Sequence, residues 1–237
     1  NTTNVDHLDR SWLTVKMINS QRSGHKVSYL IGIRKERKKL NISLIDLNSG
    51  QVLWEKPLMG KVLINRPSIQ KLDSPEESLI GCLTDTGFYA FKLKDGSRFY
   101  NERLRTPRAK LTSIKSTHNI DLSWRMVGDR LILLHPLNQA LYYTSFKKKL
   151  SKQNLKLDRL DPKSYLTNID AQWVIVSPSS GLIYGVPSQL DQVIWTWRLN
   201  PFEKIDLSRR WALVQTHSYN QLFKVVPRSL DELAQTL

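Results

Sequence analysis

Residues Leu40 to Trp54, which read LNISLIDLNSGQVLW, are the stretch that decides the fold of this chain. From Leu40 to Asp46 the side chains alternate between apolar and polar, as they do along a half-buried β-strand. Asn48-Ser49-Gly50 comes next, and both Asn and Gly accept the positive φ values that a tight hairpin turn requires. The chain then returns as a second short strand, so the stretch predicts an antiparallel β-hairpin.

The same pattern of short strands and tight turns recurs along the chain. Upstream of the hairpin, Val27–Ile33 is a β-rich run that the charged loop Arg34–Lys39 separates from Leu40. The later units have the same alternation of short apolar runs and turns rich in Gly, Asp, Asn or Pro, and they span Ser68–Arg105, Leu111–Phe146, Tyr165–Leu199 and, in part, Arg210–Val226. The units recur about every 40 to 45 residues, the spacing of the blades in a β-propeller.

A meander of this size is too thin to bury both faces of its own sheet, so neighbouring units are expected to stack side by side. We therefore predict an all-β fold, a β-propeller or partial propeller of four-stranded antiparallel blades, over residues 27–226. Residues 1–26 are predicted to be an N-terminal extension. Residues 227–237 are predicted to be a short C-terminal helical tail, because Ser229 and Glu232 form a capping box. The number of blades stays open, and a β-sandwich of similar short strands is the alternative.

The segment Ile45–Glu55 resembles the blade repeat of quinoprotein-type (PQQ-like) β-propellers. In that family an Asp, a short turn ending in Gly, two apolar residues and a Trp recur in each blade, and Asp46, Gly50 and Trp54 occupy the matching positions here. Ala90–Tyr100 is a weaker copy of the same repeat. The resemblance implies that Trp54 packs between neighbouring blades.

A second resemblance is to WD40 blades, because Gly24-His25 followed by Ile45-Asp46 is similar to their Gly-His and Trp-Asp marks. What these resemblances imply for function is a binding scaffold, since most short PQQ-like propellers are scaffolds. PQQ itself is not expected as a cofactor. The dehydrogenases that use it are far longer and carry a vicinal disulfide, which Cys82, the one cysteine of this chain, does not supply.

The charge of the chain is its most unusual property. Thirty-six Lys and Arg against 21 Asp and Glu give a formal net charge of +15, which raises the local concentration of polyanions around the protein. The predicted surface contacts lie in loops or at strand ends: Arg34, Arg37, Lys38, Arg103, Arg105, Arg108, Lys147, Lys148 and Lys149. Because the loops of a propeller gather on its two faces, these runs are predicted to form one positive surface. The alternative is a charge that serves solubility alone.

Signatures of catalysis are absent from the sequence. It contains no phosphate-binding G-x-x-x-x-G-K-[ST], no G-x-S-x-G and no H-E-x-x-H, and its five histidines show no metal-ligand spacing. His135 ends a strongly apolar run and is interpreted as a structural residue at the end of a strand. Cys82 lies inside an apolar strand and is interpreted as an inert core thiol. We therefore predict no enzyme activity, no catalytic residues, no cofactor and no metal site.

The sequence favours a non-enzymatic scaffold that binds protein partners within a larger assembly. The alternative is a nucleic-acid-associated protein whose basic face contacts phosphates, with Phe99, Tyr100, Tyr142 and Tyr143 near enough to stack on bases. For these four aromatic residues, packing between blades is the favoured interpretation. An acidic protein surface is a further candidate partner. No run approaches the roughly 18 apolar residues of a membrane span, and the compartment stays open, with an intracellular location slightly favoured.

Overall fold

The structure is a computed structural model, which describes residues 12–22, 25–37, 39–71, 77–107, 111, 120–127, 130–145, 150–153, 155, 157, 159–169, 172–187, 189–190, 192–207, 211–216 and 218–224. These residues form nineteen short strands. In chain order they are β1 (Trp12–Arg22), β2 (His25–Glu36), β3 (Lys39–Asp46), β4 (Val52–Leu58), β5 (Ser68–Gln70), β6 (Leu79–Leu83), β7 (Gly87–Lys92), β8 (Arg98–Arg103), β9 (Trp124–Val127), β10 (Arg130–His135), β11 (Ala140–Ser145), β12 (Ser151–Lys152), β13 (Tyr165–Ile169), β14 (Gln172–Ser177), β15 (Leu182–Pro187), β16 (Trp195–Arg198), β17 (Lys204–Leu207), β18 (Trp211–Gln215) and β19 (Asn220–Lys224).

The strands form five small sheets, each built from strands that are consecutive in the chain. Four sheets have four strands (β1–β4, β5–β8, β9–β12 and β13–β16), and the fifth has three, β17–β19, within the described residues. Neighbouring strands pair antiparallel, as in the hairpin β3–β4, where Leu44 lies opposite Trp54. The prediction of an all-β fold built from repeated antiparallel sheets is thereby confirmed. The predicted C-terminal helix falls on residues outside those that the structure describes.

The first sheet begins earlier than the sequence pattern indicated. Strand β1 lies inside residues 1–26, the predicted extension, and pairs with β2 in a long hairpin from Trp12 opposite Arg34 to Arg22 opposite His25. Its sequence, WLTVKMINSQR, alternates between apolar and polar residues from Leu13 to Met17 and loses that pattern from Ile18 onwards, where the pairing with β2 continues to Arg22.

The described chain divides into two compact units. Unit 1 consists of Asn1–Leu133 with Thr144–Ser151, and unit 2 of Leu134–Tyr143 with Lys152–Leu237.

In unit 1 a core of buried side chains joins the first and second sheets. Ile31, Ile42 and Leu44 of the first sheet belong to one cluster with Cys82 and Phe91 of the second. Along β3 the apolar residues Leu40, Ile42 and Leu44 alternate with polar ones, which is why that part of the sequence was informative.

Trp54 is the link between these two sheets. Its indole is 8% exposed, lies 6.3 Å from the ring of Phe91, and donates from Nε1 to the carbonyl oxygen of Leu93 at 2.9 Å. Leu93 and Gly96 belong to the β7–β8 turn, and a side chain at Gly96 would collide with the indole. The packing role that the blade-repeat resemblance implied for Trp54 is therefore confirmed.

Unit 2 has a core of the same kind between the fourth and fifth sheets. Val174, Val176 and Ile183 are fully buried against Ile205 and Val214. On the fourth sheet the ring of Trp195 lies over Gly185, where a Cβ atom would occupy the space of the indole.

In four sheets a polar residue lies at the end of the second strand, or directly after it, and helps to hold the turn that follows. Thr84 and Thr216 do so through their hydroxyl groups, and His135 through its ring. Ser177 acts indirectly, because its hydroxyl donates to the carboxylate of Asp161, which accepts the N–H of Ser179 in the turn. In two of these turns the chain passes through a short 3₁₀ turn, Pro136–Asn138 and Pro178–Ser180, before a residue with positive φ. A polar residue therefore recurs at this position from sheet to sheet, although the residue type differs.

Candidate interaction surface

Four segments of unit 1 meet at one end of its first two sheets. The β2–β3 turn lies at the end where β4 finishes, because Leu40 pairs with Leu58 and Glu36 with Lys39. The linker that follows β4 carries Met59 and Lys61 across to the second sheet. Backbone and side-chain hydrogen bonds then tie this linker to the β6–β7 turn.

The contacts between the linker and the β6–β7 turn are specific. Thr84 donates from Oγ1 to the carbonyl of Met59 at 2.8 Å. The backbone N–H groups of Lys61 and Val62 both donate to Oδ1 of Asp85, at 2.8 Å and 3.0 Å. Asp85 also donates its own N–H to the carbonyl of Val62 at 2.9 Å.

The segment after β8 joins the same end. Leu104 donates its N–H to the carbonyl of Thr86 at 3.0 Å, and Thr106 donates to the carbonyl of Asp85 at 3.1 Å. We call this surface the basic end: residues 36, 37 and 39 of the β2–β3 turn, the linker 59–62, the β6–β7 turn 84–86, and residues 102–106.

The basic end carries more positive than negative side chains. Its cations are all exposed, and they are Arg37, Lys39, Lys61, Arg103 and Arg105. Each of its three carboxylates already has a partner in the protein. Asp85 accepts the two linker N–H groups, Glu36 pairs with Arg34 at 2.8 Å, and Glu102 accepts the N–H of Arg103 at 3.2 Å. The surplus of cations is therefore directed outwards, and Met59 adds an apolar side chain that is 48% exposed.

Arg34 is directed to its own sheet. Its Nη2 lies 3.2 Å and 3.3 Å from the two carboxylate oxygens of Glu55, and its guanidinium carbon lies 5.9 Å from the ring centroid of Trp12. Glu55 also accepts from Asn41 at 3.0 Å and from Ser43 at 2.9 Å. This cross-strand network ties β2, β3 and β4 together.

The structure brings only part of the predicted positive surface together. Arg37, Arg103 and Arg105 share the basic end, although 66 residues of sequence separate the first two. The remaining predicted contacts, Lys38, Arg108, Lys147, Lys148 and Lys149, lie outside the described residues. Lys39 belongs to the charged run Arg34–Lys39 that the sequence showed, whereas sequence reasoning missed Lys61 and Met59, whose one local signal was their place after the strand that ends at Leu58.

The aromatic residues near these runs are engaged in packing. Tyr100 is partly buried, 6.3 Å from the ring of Phe88, and burial together with the nearby charge of Glu102 raises its pKa to about 12. Tyr142 packs on His135 at 6.1 Å between ring centroids. Both contacts join neighbouring strands of one sheet, so packing between blades, the favoured interpretation for Phe99, Tyr100, Tyr142 and Tyr143, stays a prediction.

The two groups that the sequence singled out for possible chemistry are both buried. Cys82 is completely buried, and burial raises the pKa of its thiol, which opposes formation of the reactive thiolate. His135 is also completely buried, and its Nδ1 accepts the N–H of Asn138 at 3.3 Å. Among the residues that the structure describes, no group of three or more His, Cys, Asp or Glu side chains is arranged to hold a metal ion. No helix in that part of the chain is both long and apolar enough to cross a membrane.

Comparison with known proteins identifies the fold class. No protein-family model matches the sequence, and no curated protein matches it. Solved structures do match, and together with the five antiparallel sheets they define the chain as an all-β protein with the fold of β-propellers.

Three structures illustrate the likeness. The Dos1 propeller matches with a TM-score of 0.54 at 11% identity, over 89% of this chain and 54% of that one. Hsv2 of Kluyveromyces marxianus matches with a TM-score of 0.52 at 11% identity, over 92% and 64%. The β-propeller domain of Cps50 (Swd1) of Myceliophteria thermophila matches with a TM-score of 0.50 at 14% identity, over 92% and 71%. The chain thus spans 64% of the Hsv2 chain, and the likeness establishes the fold alone. The finer quinoprotein-type resemblance has no specific support among these structures.

Proposed function

We propose that this protein is a non-enzymatic propeller scaffold that binds a protein partner as part of a larger assembly. The observation that carries the proposal is the basic end, where exposed cations and an exposed apolar side chain sit on a backbone held by hydrogen bonds. Stacked repeats present broad, rigid surfaces of this kind, and such surfaces suit binding of macromolecules.

The buried groups support a role without catalysis. A nucleophile has to reach its substrate and a general base has to reach the proton that it removes. The thiol of Cys82 lies in the core between two sheets, and His135 uses its Nδ1 to hold a turn. The fold adds an analogy only, since propellers host many functions and the site has to carry the argument.

The test is recovery of a stable complex. We expect the tagged full chain, expressed in cells of its own source, to purify with one or more protein partners in fixed stoichiometry that stay bound during size-exclusion chromatography at near-physiological salt. A matched sample of the chain unfolded and refolded without lysate controls for self-association. A monodisperse chain without partners, or clean turnover in a broad hydrolase screen, would contradict the proposal.

Nucleic acid is the second candidate partner, because a net charge of +15 attracts phosphate backbones whatever their sequence. Binding of this kind is steeply dependent on salt. Titration with generic RNA and DNA at low and near-physiological salt decides the question, and lack of binding even at low salt would remove this candidate.

A further inference from the structure

We infer that the basic end of unit 1 docks an acidic protein segment that carries an apolar side chain among its carboxylates. This inference rests on the proposed scaffold function and names the kind of partner. Three features of the surface lead to it: its charge, its apolar residue and its fixed backbone.

The charge of the basic end is available to a partner. Among the described residues no carboxylate forms an ion pair with Arg37, Lys39, Lys61 or Arg103. The carboxylates of the same surface already accept hydrogen bonds from the protein, most fully Asp85. A partner with several carboxylates therefore meets complementary charge, which speeds its association and sets its orientation.

Met59 favours a protein over a nucleic acid as the partner of this surface. Its flexible thioether side chain adapts to apolar groups of different shape, and its main chain is fixed by the hydrogen bond from Thr84. A phosphate backbone has no use for such a contact. Single-stranded nucleic acid would instead stack its bases on exposed aromatic rings, whereas Tyr100, the nearest candidate on β8, is packed against Phe88.

The backbone of the basic end is organised before any partner arrives. The linker 59–62 makes four hydrogen bonds to Thr84 and Asp85 through donors or acceptors of its main chain, and the segment at Leu104 and Thr106 makes two more. A partner therefore does not have to order these loops on binding, which removes one of the costs that weaken an interface.

The probes are three fluorescein-labelled ligands: a peptide of alternating Glu and Leu, a poly-Glu peptide and a single-stranded DNA. Each has about ten residues or nucleotides, so that it can act as a linear recognition motif. The basic-end variant is K61E/R103E. Both side chains are exposed, and the contacts of Lys61 and Arg103 given above use their backbone N–H groups, which the substitutions keep. The matched control is K71E/K92E, which changes the net charge equally at the opposite end of the second sheet, where β5 and β7 finish.

We expect fluorescence anisotropy to show binding of the Glu/Leu peptide that weakens about tenfold or more in K61E/R103E and less than about twofold in K71E/K92E. Met59→Ser is expected to weaken the Glu/Leu peptide and to leave poly-Glu unchanged. Equal weakening in the two double variants, or DNA binding tighter than peptide binding at near-physiological salt, would overturn the inference. Circular dichroism of each variant checks that it is folded.

The same variants separate this inference from the scaffold proposal. If K61E/R103E still purifies with its protein partner in fixed stoichiometry, the docking site is wrong and the scaffold function stands. If the wild-type chain binds the Glu/Leu peptide through the basic end and yet purifies alone, the surface is as inferred and the scaffold function fails.

Discussion

Replacement of Trp54 by Ala tests whether stacking of neighbouring sheets holds unit 1 together. The indole is 8% exposed between the first and second sheets, and its removal leaves a cavity as well as an unpartnered carbonyl at Leu93. Loss of a buried aromatic side chain lowers the free energy of unfolding by about 3–5 kcal/mol. The lost hydrogen bond to the carbonyl of Leu93 accounts for about 1 kcal/mol of this total. For a chain of this length, each kcal/mol lowers the melting temperature by about 2–4 °C, so we expect a decrease of about 10 °C.

The measurement is equilibrium unfolding in urea followed by circular dichroism, together with a thermal scan. Leu53→Ala is the matched control, because Leu53 lies next to Trp54 on β4 and is 44% exposed. Its removal is expected to change the free energy of unfolding by about 0.5 kcal/mol or less. Trp54→Phe is expected to fall between the two, since it keeps a ring and loses the Nε1 donor. If Trp54→Ala destabilises no more than Leu53→Ala does, the two sheets are not held together as described.

Three further changes test other parts of the fold. Ser177→Ala is expected to destabilise by about 1–3 kcal/mol in urea unfolding, because the buried hydroxyl contacts the Asp161 carboxylate at 2.9 Å; Ser179→Ala, an exposed residue that uses its backbone N–H there, is expected to be nearly neutral. Gly185→Ala is expected to lower the melting temperature by several degrees, since the Cβ would displace the Trp195 indole; a neutral result would contradict that packing. Tyr100 has a folded-state pKa raised to about 12, so its contribution to stability is complete below its ordinary pKa of about 10 and is lost as pH rises towards 12. Between pH 10 and 12 the free energy of unfolding is expected to fall less in Tyr100→Phe than in the wild type. If it falls equally in both, a group other than Tyr100 causes the loss of stability.

Much of the fold was predictable because its signals are local. The hairpin of β3 and β4 follows from alternation in Leu40–Asp46 and from turn residues ending at Gly50, where the observed φ is +72°. The apolar run that ends at His135 is likewise a strand in the structure, β10, which pairs antiparallel with β9. In each case neighbouring residues in the chain determine the strand and its reversal.

The candidate surface was only partly predictable, because a charge in the sequence does not reveal its neighbours. Arg34 and Arg37 lie in the same charged run, yet Arg34 turns to Glu55 on another strand, while Arg37 is exposed at the turn with a φ of +54°. Strand β1 was not predicted, because its alternation covers only Leu13–Met17, and pairing with β2 extends the strand to Arg22.

The sequence by itself determined the all-β class, the positions of the hairpins and the surplus of positive charge, all of which depend on residues close together in the chain or on composition. The tertiary structure alone decided that Met59 and Lys61 join Asp85 and Arg103 at one end of unit 1, and that Trp54 reaches the carbonyl of Leu93. The hydrogen bonds among these residues join positions 24 to 39 apart in the chain, and only the stacking of one sheet on the next brings their partners together.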